Sequence, residues 1–152
     1  MYSNTITTSI PEFIEDNLAT LSTFSDREWE EKPAPDKWSR KEILGHLIDS
    51  AMTNIRRLIV TQNQQNEKIT YQQNEWVHFS DYQHMDIQDL MTLWKLINFH
   101  YHRISKTIPT ESLSYTTDTD NETVSLKTLS FLIDDYWGHQ QHHLGQIYIV
   151  TP

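Results

Sequence analysis

The stretch Trp38-Ser39-Arg40-Lys41-Glu42-Ile43-Leu44-Gly45-His46-Leu47-Ile48-Asp49 announces a helix start with side chains alone. The Ser39 hydroxyl is placed to accept an orphan backbone N–H of the first turn, and Glu42, three residues on, to reach back to the cap. Trp38, just before the cap, is positioned to staple onto Ile43. Ile43, Leu44, Leu47, Ile48, Ala51, Ile55, Leu58 and Ile59 then recur at helical spacing. The segment fades into the polar run Gln62-Asn63-Gln64-Gln65-Asn66. About 22 residues at 1.5 Å each predict a helix of roughly 33 Å.

Working outward, three more segments carry the same period. One spans about residues 9–24: Ser9 is a cap, Pro11 falls in the first turn, and Phe13, Ile14, Leu18 and Leu21 share a face. Two prolines in Lys32-Pro33-Ala34-Pro35-Asp36-Lys37 separate it from the second segment. The third opens at Asp86, with Asp89 suiting the positive end of the helix dipole, and continues through Leu90, Leu93, Trp94, Ile97, Tyr101 and Ile104 to just before Pro109. The fourth, about residues 125–150, carries Leu126, Leu129, Leu132, Ile133, Tyr136, Leu144, Ile147 and Tyr148. Residues 67–85 read as a long connection that packs Trp76, Val77, Phe79 and Tyr82 on the bundle, and residues 110–124 read as loop. The expectation is an all-α four-helix bundle, one domain over residues 1–152, with the long connection between the second and third helices.

Composition agrees. Three Gly and five Pro in 152 residues suit long helices rather than many hairpins. With no cysteine, disulfides, thiolate metal sites, iron–sulfur clusters and a cysteine nucleophile are excluded. A net charge of −9 repels phosphate, which argues against nucleic-acid and anionic-membrane partners. No apolar run approaches the roughly 20 residues of a membrane span, and the start of the chain lacks signal-peptide character. A cytoplasmic protein is expected.

The densest chemistry lies in Gly138-His139-Gln140-Gln141-His142-His143. On a helix, His139 and His143 leave one face a turn apart, a spacing at which two neutral imidazoles can chelate a metal. On a helical wheel His143 falls within the stripe of Leu132, Tyr136 and Ile147, and His139 at its border. Gln140 stands where His-Glu-x-x-His peptidases keep a general base and cannot take a proton at neutral pH, which disfavours that class. It falls near the middle of the apolar stripe, where a buried amide must find partners and can help line a site.

Two ligands call for a third. His46 is the best candidate, although the wheel puts it at the polar edge beside Ile43, which fits a cleft at the rim and a solvated histidine equally. Asp49, one turn on, is a fourth ligand, an acceptor orienting a ligand, or a solvated carboxylate. Asp135 precedes His139 by one turn and could orient it. His100 reads as a core or boundary histidine, and His78, His84, His102 and His142 as exposed. Trp137 and Tyr148 lie on the far face of the fourth helix, which suggests a second covering surface, such as a partner subunit.

Taken together, three motifs in order resemble the DinB-like (YfiT-like) superfamily: the Pro-rich lead into Trp38-Ser39, the run from Glu42 through His46-Leu47, and His139-x-x-x-His143-Leu144-Gly145-Gln146-Ile147. The resemblance covers nearly the whole chain. It implies a four-helix bundle, often a homodimer, with one divalent metal on His46, His139 and His143. Zinc or nickel is favoured, and manganese or iron is compatible with such a site. Characterised members of that family include thiol S-transferases using a low-molecular-weight thiol such as bacillithiol, and a mycothiol-dependent isomerase; many others are assigned only as metal-dependent hydrolases. The implied function is a metal-dependent transferase or hydrolase acting on a small molecule through a metal-held thiol or water, with Asp49 and Gln140 as helpers. The alternatives are a non-catalytic metal-binding or structural bundle, and a ligand-binding module whose pocket is lined by Trp76, Phe79 and Tyr82.

Overall fold

The computed structural model describes residues 8–149 and places the four long segments as helices: α1 (Ile10–Leu21), α3 (Arg40–Val60), α5 (Ile87–Ser105) and α6 (Leu129–Ile149). Two shorter helices, α2 (Asp26–Glu30) and α4 (Gln73–Ser80), lie between them. Helix α3 is the hub. It packs most extensively on α5, then on α6 and α4, while α1 packs on α5. Its central place explains why almost every residue from Ser39 to Ala51 is buried, whichever way the side chain points.

Helix starts follow local chemistry. Ser9, Ser25 and Ser39 each form a complete capping box, with Glu12, Glu28 and Glu42 respectively. Asp86 caps α5 by accepting from Gln88 and Asp89 N–H groups. The five-residue α2 has no amphipathic period to announce it. Its single buried anchor is Trp29, which meets Phe24 edge-on.

The connections depart from expectation. Residues 67–85 contain α4, and of the aromatics expected to pack there only Tyr82 is buried, beside Val77. Trp76 is 41% exposed and Phe79 80% exposed, whereas Tyr82 is buried, so the three do not share one environment. The segment at 110–124 is not all loop. Strand β1 (Thr116–Asp118) pairs antiparallel with β2 (Leu126–Thr128), in the register Thr116↔Thr128 and Asp118↔Leu126. Lys68 bridges to Asp118 on the other side of β1. Residues 125–128 therefore do not belong to the last helix, which begins at Leu129, where the Thr128 hydroxyl accepts the Phe131 N–H. The far end of that segment, Val150, lies outside the described residues.

The second face of α6 is covered from within the chain. Trp137 meets Phe13 of α1 edge-on, and Tyr148 stacks on Phe24 and donates to Asn17. That face thus gives no argument for a partner subunit. Among the described residues, no helix is long and apolar enough to cross a membrane.

Arg40 sets the mutual height of α3 and α6. It is buried, and its Nε donates to the Ile147 carbonyl at 2.9 Å and its Nη1 to the Glu28 carbonyl at 2.9 Å, while the guanidinium lies 4.6 Å over Phe24. The start of α3 is thereby tied to the end of α6. His46 then lies about 9 Å along α3 from this tie, and His143 and His139 about 6 and 12 Å along α6. The histidine on α3 falls level with the gap between the two on α6.

Candidate metal centre

The three imidazoles meet. Ring centres are 4.8 Å apart for His46 and His143, 5.4 Å for His46 and His139, and 4.6 Å for His139 and His143. One nitrogen from each lies within 4.8 Å of the others. A tetrahedral zinc ion 2.0–2.1 Å from each nitrogen would hold its donors roughly 3.3 Å apart, so side-chain rotations of about an ångström gather this set onto one ion. The donor set is three nitrogens with no thiolate, which suits zinc, nickel and other borderline divalent ions. His46 is only 2% exposed, and its Nδ1 is buried without a hydrogen-bond partner among the described residues. An orphaned donor atom in such a cluster fits a ligand better than a packing histidine.

Electrostatics keep the rings neutral. Burial pushes His46 down to about 4, with neighbouring His143 adding to the effect. Burial pushes His139 down to about 3, helped by His143, His46 and His142. His143 is lowered by burial as well, and its bond to Gln146 works in the opposite direction. Neutral imidazole is the form that binds a metal.

The surroundings orient the rings. His143 Nδ1 lies 2.7 Å from the Gln146 Oε1, which makes Nδ1 the protonated nitrogen and leaves Nε2 as the donor. His139 Nδ1 lies 3.5 Å from the Ser50 hydroxyl. Trp38 covers His46, with ring centres 5.2 Å apart, and Tyr71 stacks on it at 6.4 Å.

Asp49 is no solvated carboxylate: it is fully buried. Nor does it join the three-histidine group. The Tyr82 hydroxyl donates to its Oδ1 at 2.6 Å, while Oδ2 has no partner among the described residues. Burial lifts Asp49 to about 6, with the Tyr82 bond acting against that rise. Gly45 makes this pair possible. A Cβ there would stand 2.1 Å from the Tyr82 ring, so only glycine lets the ring lie against α3.

Gln140 is fully buried, and its polar atoms are engaged. Its Oε1 accepts from Trp94 Nε1 at 3.1 Å, and its Nε2 donates to the Tyr136 hydroxyl at 3.1 Å and toward the Leu47 carbonyl at 3.4 Å. It braces α3, α5 and α6 one residue from His139 and has nothing to offer a substrate. His100 is exposed, beside Arg103, rather than in the core. His78, His84 and His142 are exposed as expected, while His102 is half-buried against Trp137. Asp135 shares the wall of a cavity with His139.

Ser50 and Tyr71 carry no mark in the sequence that singles them out, and Tyr82 was marked only as a packing aromatic. Gln146 alone had a readable signal, three residues after a candidate ligand on the same helix face.

A helical bundle with three converging imidazoles from two of its helices defines a class of histidine-centred bundle proteins. The chain belongs to the DinB superfamily, whose family model matches residues 12–147. Among solved structures it is similar to YfiT from Bacillus subtilis, described as a probable metal-dependent hydrolase with an unusual four-helix bundle topology. The TM-score is 0.81 at 17% identity, covering 97% of this chain and 90% of that one. It is also similar to a mycothiol-dependent maleylpyruvate isomerase, with TM-score 0.65 at 12% identity over 92% of this chain. It spans only 55% of the length of that isomerase. At these identities the likeness is one of fold. No curated protein matches the sequence.

Proposed function

We propose that this protein is a metal-dependent enzyme in which His46, His139 and His143 hold one divalent ion, with zinc or nickel favoured, and that it transfers a small-molecule thiol to an electrophile. The observation that carries this reading is the convergence of three neutral imidazoles, one of them buried with an orphaned nitrogen. The relatives point the same way, one being described as a metal-dependent hydrolase and another as a thiol-dependent isomerase. When bound, the ion supplies Lewis acidity and a lowered pKa for a thiol or water in its shell.

The chain's own residues supply positioning. Gln146 and Ser50 fix the rings of His143 and His139, and Trp38 and Tyr71 shield His46 from water. Amides, hydroxyls and aromatic rings lie around the histidines, with the Asp135 carboxylate in the cavity wall beside His139, and the amides cannot accept a proton at neutral pH. A thiol activated by the ion itself needs no such base, which favours transfer over hydrolysis. The hydrolytic reading draws on two carboxylates, Asp135 in the cavity wall beside His139 and Asp49, whose pKa of about 6 lies in the range of a general base.

The two are separated by assay. Zinc- or nickel-loaded protein is incubated with bacillithiol or another low-molecular-weight thiol and monochlorobimane, and in parallel with p-nitrophenyl esters and no thiol. Thiol conjugation that disappears in His143→Ala is the expected result. Ester cleavage without conjugation would instead assign hydrolysis, with Asp49→Asn as its critical variant. Neither activity in fully loaded protein would remove the enzyme reading.

A further inference from the structure

A cavity of about 340 Å³ opens directly on His139. One wall is a stripe of α3, Ser50, Asn54 and Arg57, spaced so that all three leave one helix face. The stripe begins at the hydroxyl that touches His139 and ends about 10 Å further along the helix at a guanidinium. The opposite wall is α6, with Asp135 and His139 among apolar residues, and Lys127 closes one side with its ammonium 5.0 Å over the Phe131 ring.

Arg57 is the unusual member. Its Nε donates to the Ile69 carbonyl at 2.9 Å and its Nη1 reaches Asn54 Oδ1 at 3.4 Å. Among the described residues, no carboxylate forms an ion pair with it and Nη2 makes no hydrogen bond. Burial lowers its pKa, and Tyr71 and Asp118 offset this only in part. A half-buried cation in a cavity wall is most stable with a counter-charge against it. Here Asp118 acts on it only at a distance, without an ion pair, and the free edge belongs to a residue lining a cavity.

We propose that this cavity binds a small organic acid, its carboxylate taken by Arg57 and its other end presented to the His46, His139 and His143 cluster. The proposal names the substrate class for the reading above and rests on it for the reacting end alone. The planar fork of a guanidinium matches a carboxylate in shape and charge. Two cations against one acid in the walls suit a monoanion. Asp135 in the wall and Asp118 nearby disfavour a phosphate dianion.

The test is a titration of ¹⁵N-labelled, zinc-loaded protein at pH 7 with benzoate, benzamide and inorganic phosphate, followed by NMR, with zinc content measured on the same sample. Benzoate should saturate, shifting the Arg57 Nε–H and His139 signals, and benzamide should bind about tenfold more weakly or worse. Arg57→Gln should weaken benzoate by a similar factor and leave benzamide unchanged, while Arg57→Lys should retain part of the preference. Equal binding of acid and amide, benzoate binding indifferent to Arg57→Gln, tighter phosphate binding, or no binding would each overturn the proposal. Should Arg57→Gln unfold for want of its bond to Ile69, the acid–amide contrast in the unaltered protein decides. Zinc present without acid selectivity sinks the carboxylate site and spares the metal reading. Arg57-dependent acid binding without zinc does the reverse.

Discussion

Gln146 decides which nitrogen His143 turns toward the centre, so the site depends on a residue that need never touch a metal. Removing the Gln146 amide frees the His143 ring to rotate. Gln146→Ala should weaken zinc affinity by about 10- to 100-fold while Gln146→Glu retains most of it, as competition with a fluorescent chelator would show. Unchanged affinity in the alanine variant would remove the orienting role.

Acid reveals the same residues. In the unfolded chain His46 and His139 return to about 6.5, whereas folded they lie at about 4 and about 3. Between those limits the unfolded chain binds more protons, so the stability gained by keeping the rings neutral is whole above pH 6.5 and lost as pH falls toward 4 and 3. Asp49 has the opposite sign. Its pKa rises from 3.8 to about 6, so its contribution is present below 3.8 and lost as pH rises through 6. The two histidine shifts together exceed the one aspartate shift. Metal-free protein should therefore unfold at lower urea concentration at pH 5 than at pH 7.5, and a midpoint that rises on acidification would contradict this balance.

At this scale the sequence was partly legible. His139 and His143 were marked by their spacing. His46 and Asp49 were harder to place, because the wheel assumes one wet face and α3 has none over its first three turns.

Among the elements, the α3 start carries the most consequence, because Arg40 and His46 both hang from it. Ser39→Ala removes the cap acceptor and should cost about 1 kcal/mol, read as a lower urea midpoint. Gly45→Ala should cost more, about 1–3 kcal/mol. Its Cβ meets the Tyr82 ring at 2.1 Å, and the ring must leave, taking the Asp49 bond with it. In a double-mutant cycle with Tyr82→Ala the two losses should fall well short of adding if the clash is the cause, and full additivity would place the cost elsewhere.

The four long helices were readable because each carries a cap and several turns of apolar period. Helix α2 was not, being five residues with one buried side chain, and the β1–β2 pair was not, since three-residue strands are too short to show alternation. The exposed Phe79 misled because aromatic residues in a connection usually pack, and this one does not.

For the whole molecule, the defining feature is a tie between chain segments more than 90 residues apart. His46 sits on α3 and its companions on α6, so an ion held by all three clips the folded state and has no equivalent site in the unfolded chain. At a free zinc concentration a hundredfold above Kd this is worth about 2.7 kcal/mol, or roughly 5–10 °C in Tm for a domain of this size. Chelator should reverse the gain, and His46→Ala should abolish it. A Tm indifferent to zinc would mean that the histidines do not bridge the helices.

Everything proposed for this protein turns on His46, His139 and His143 holding one metal ion between two helices. Elemental analysis of untagged protein purified without chelator, beside His46→Ala and His143→Ala, tests it most directly. Close to one divalent ion per chain is expected in the native protein, with near-complete loss in both variants. Native protein that stays metal-free after incubation with zinc, nickel and manganese at pH 7.5, or variants that keep their metal, would contradict it.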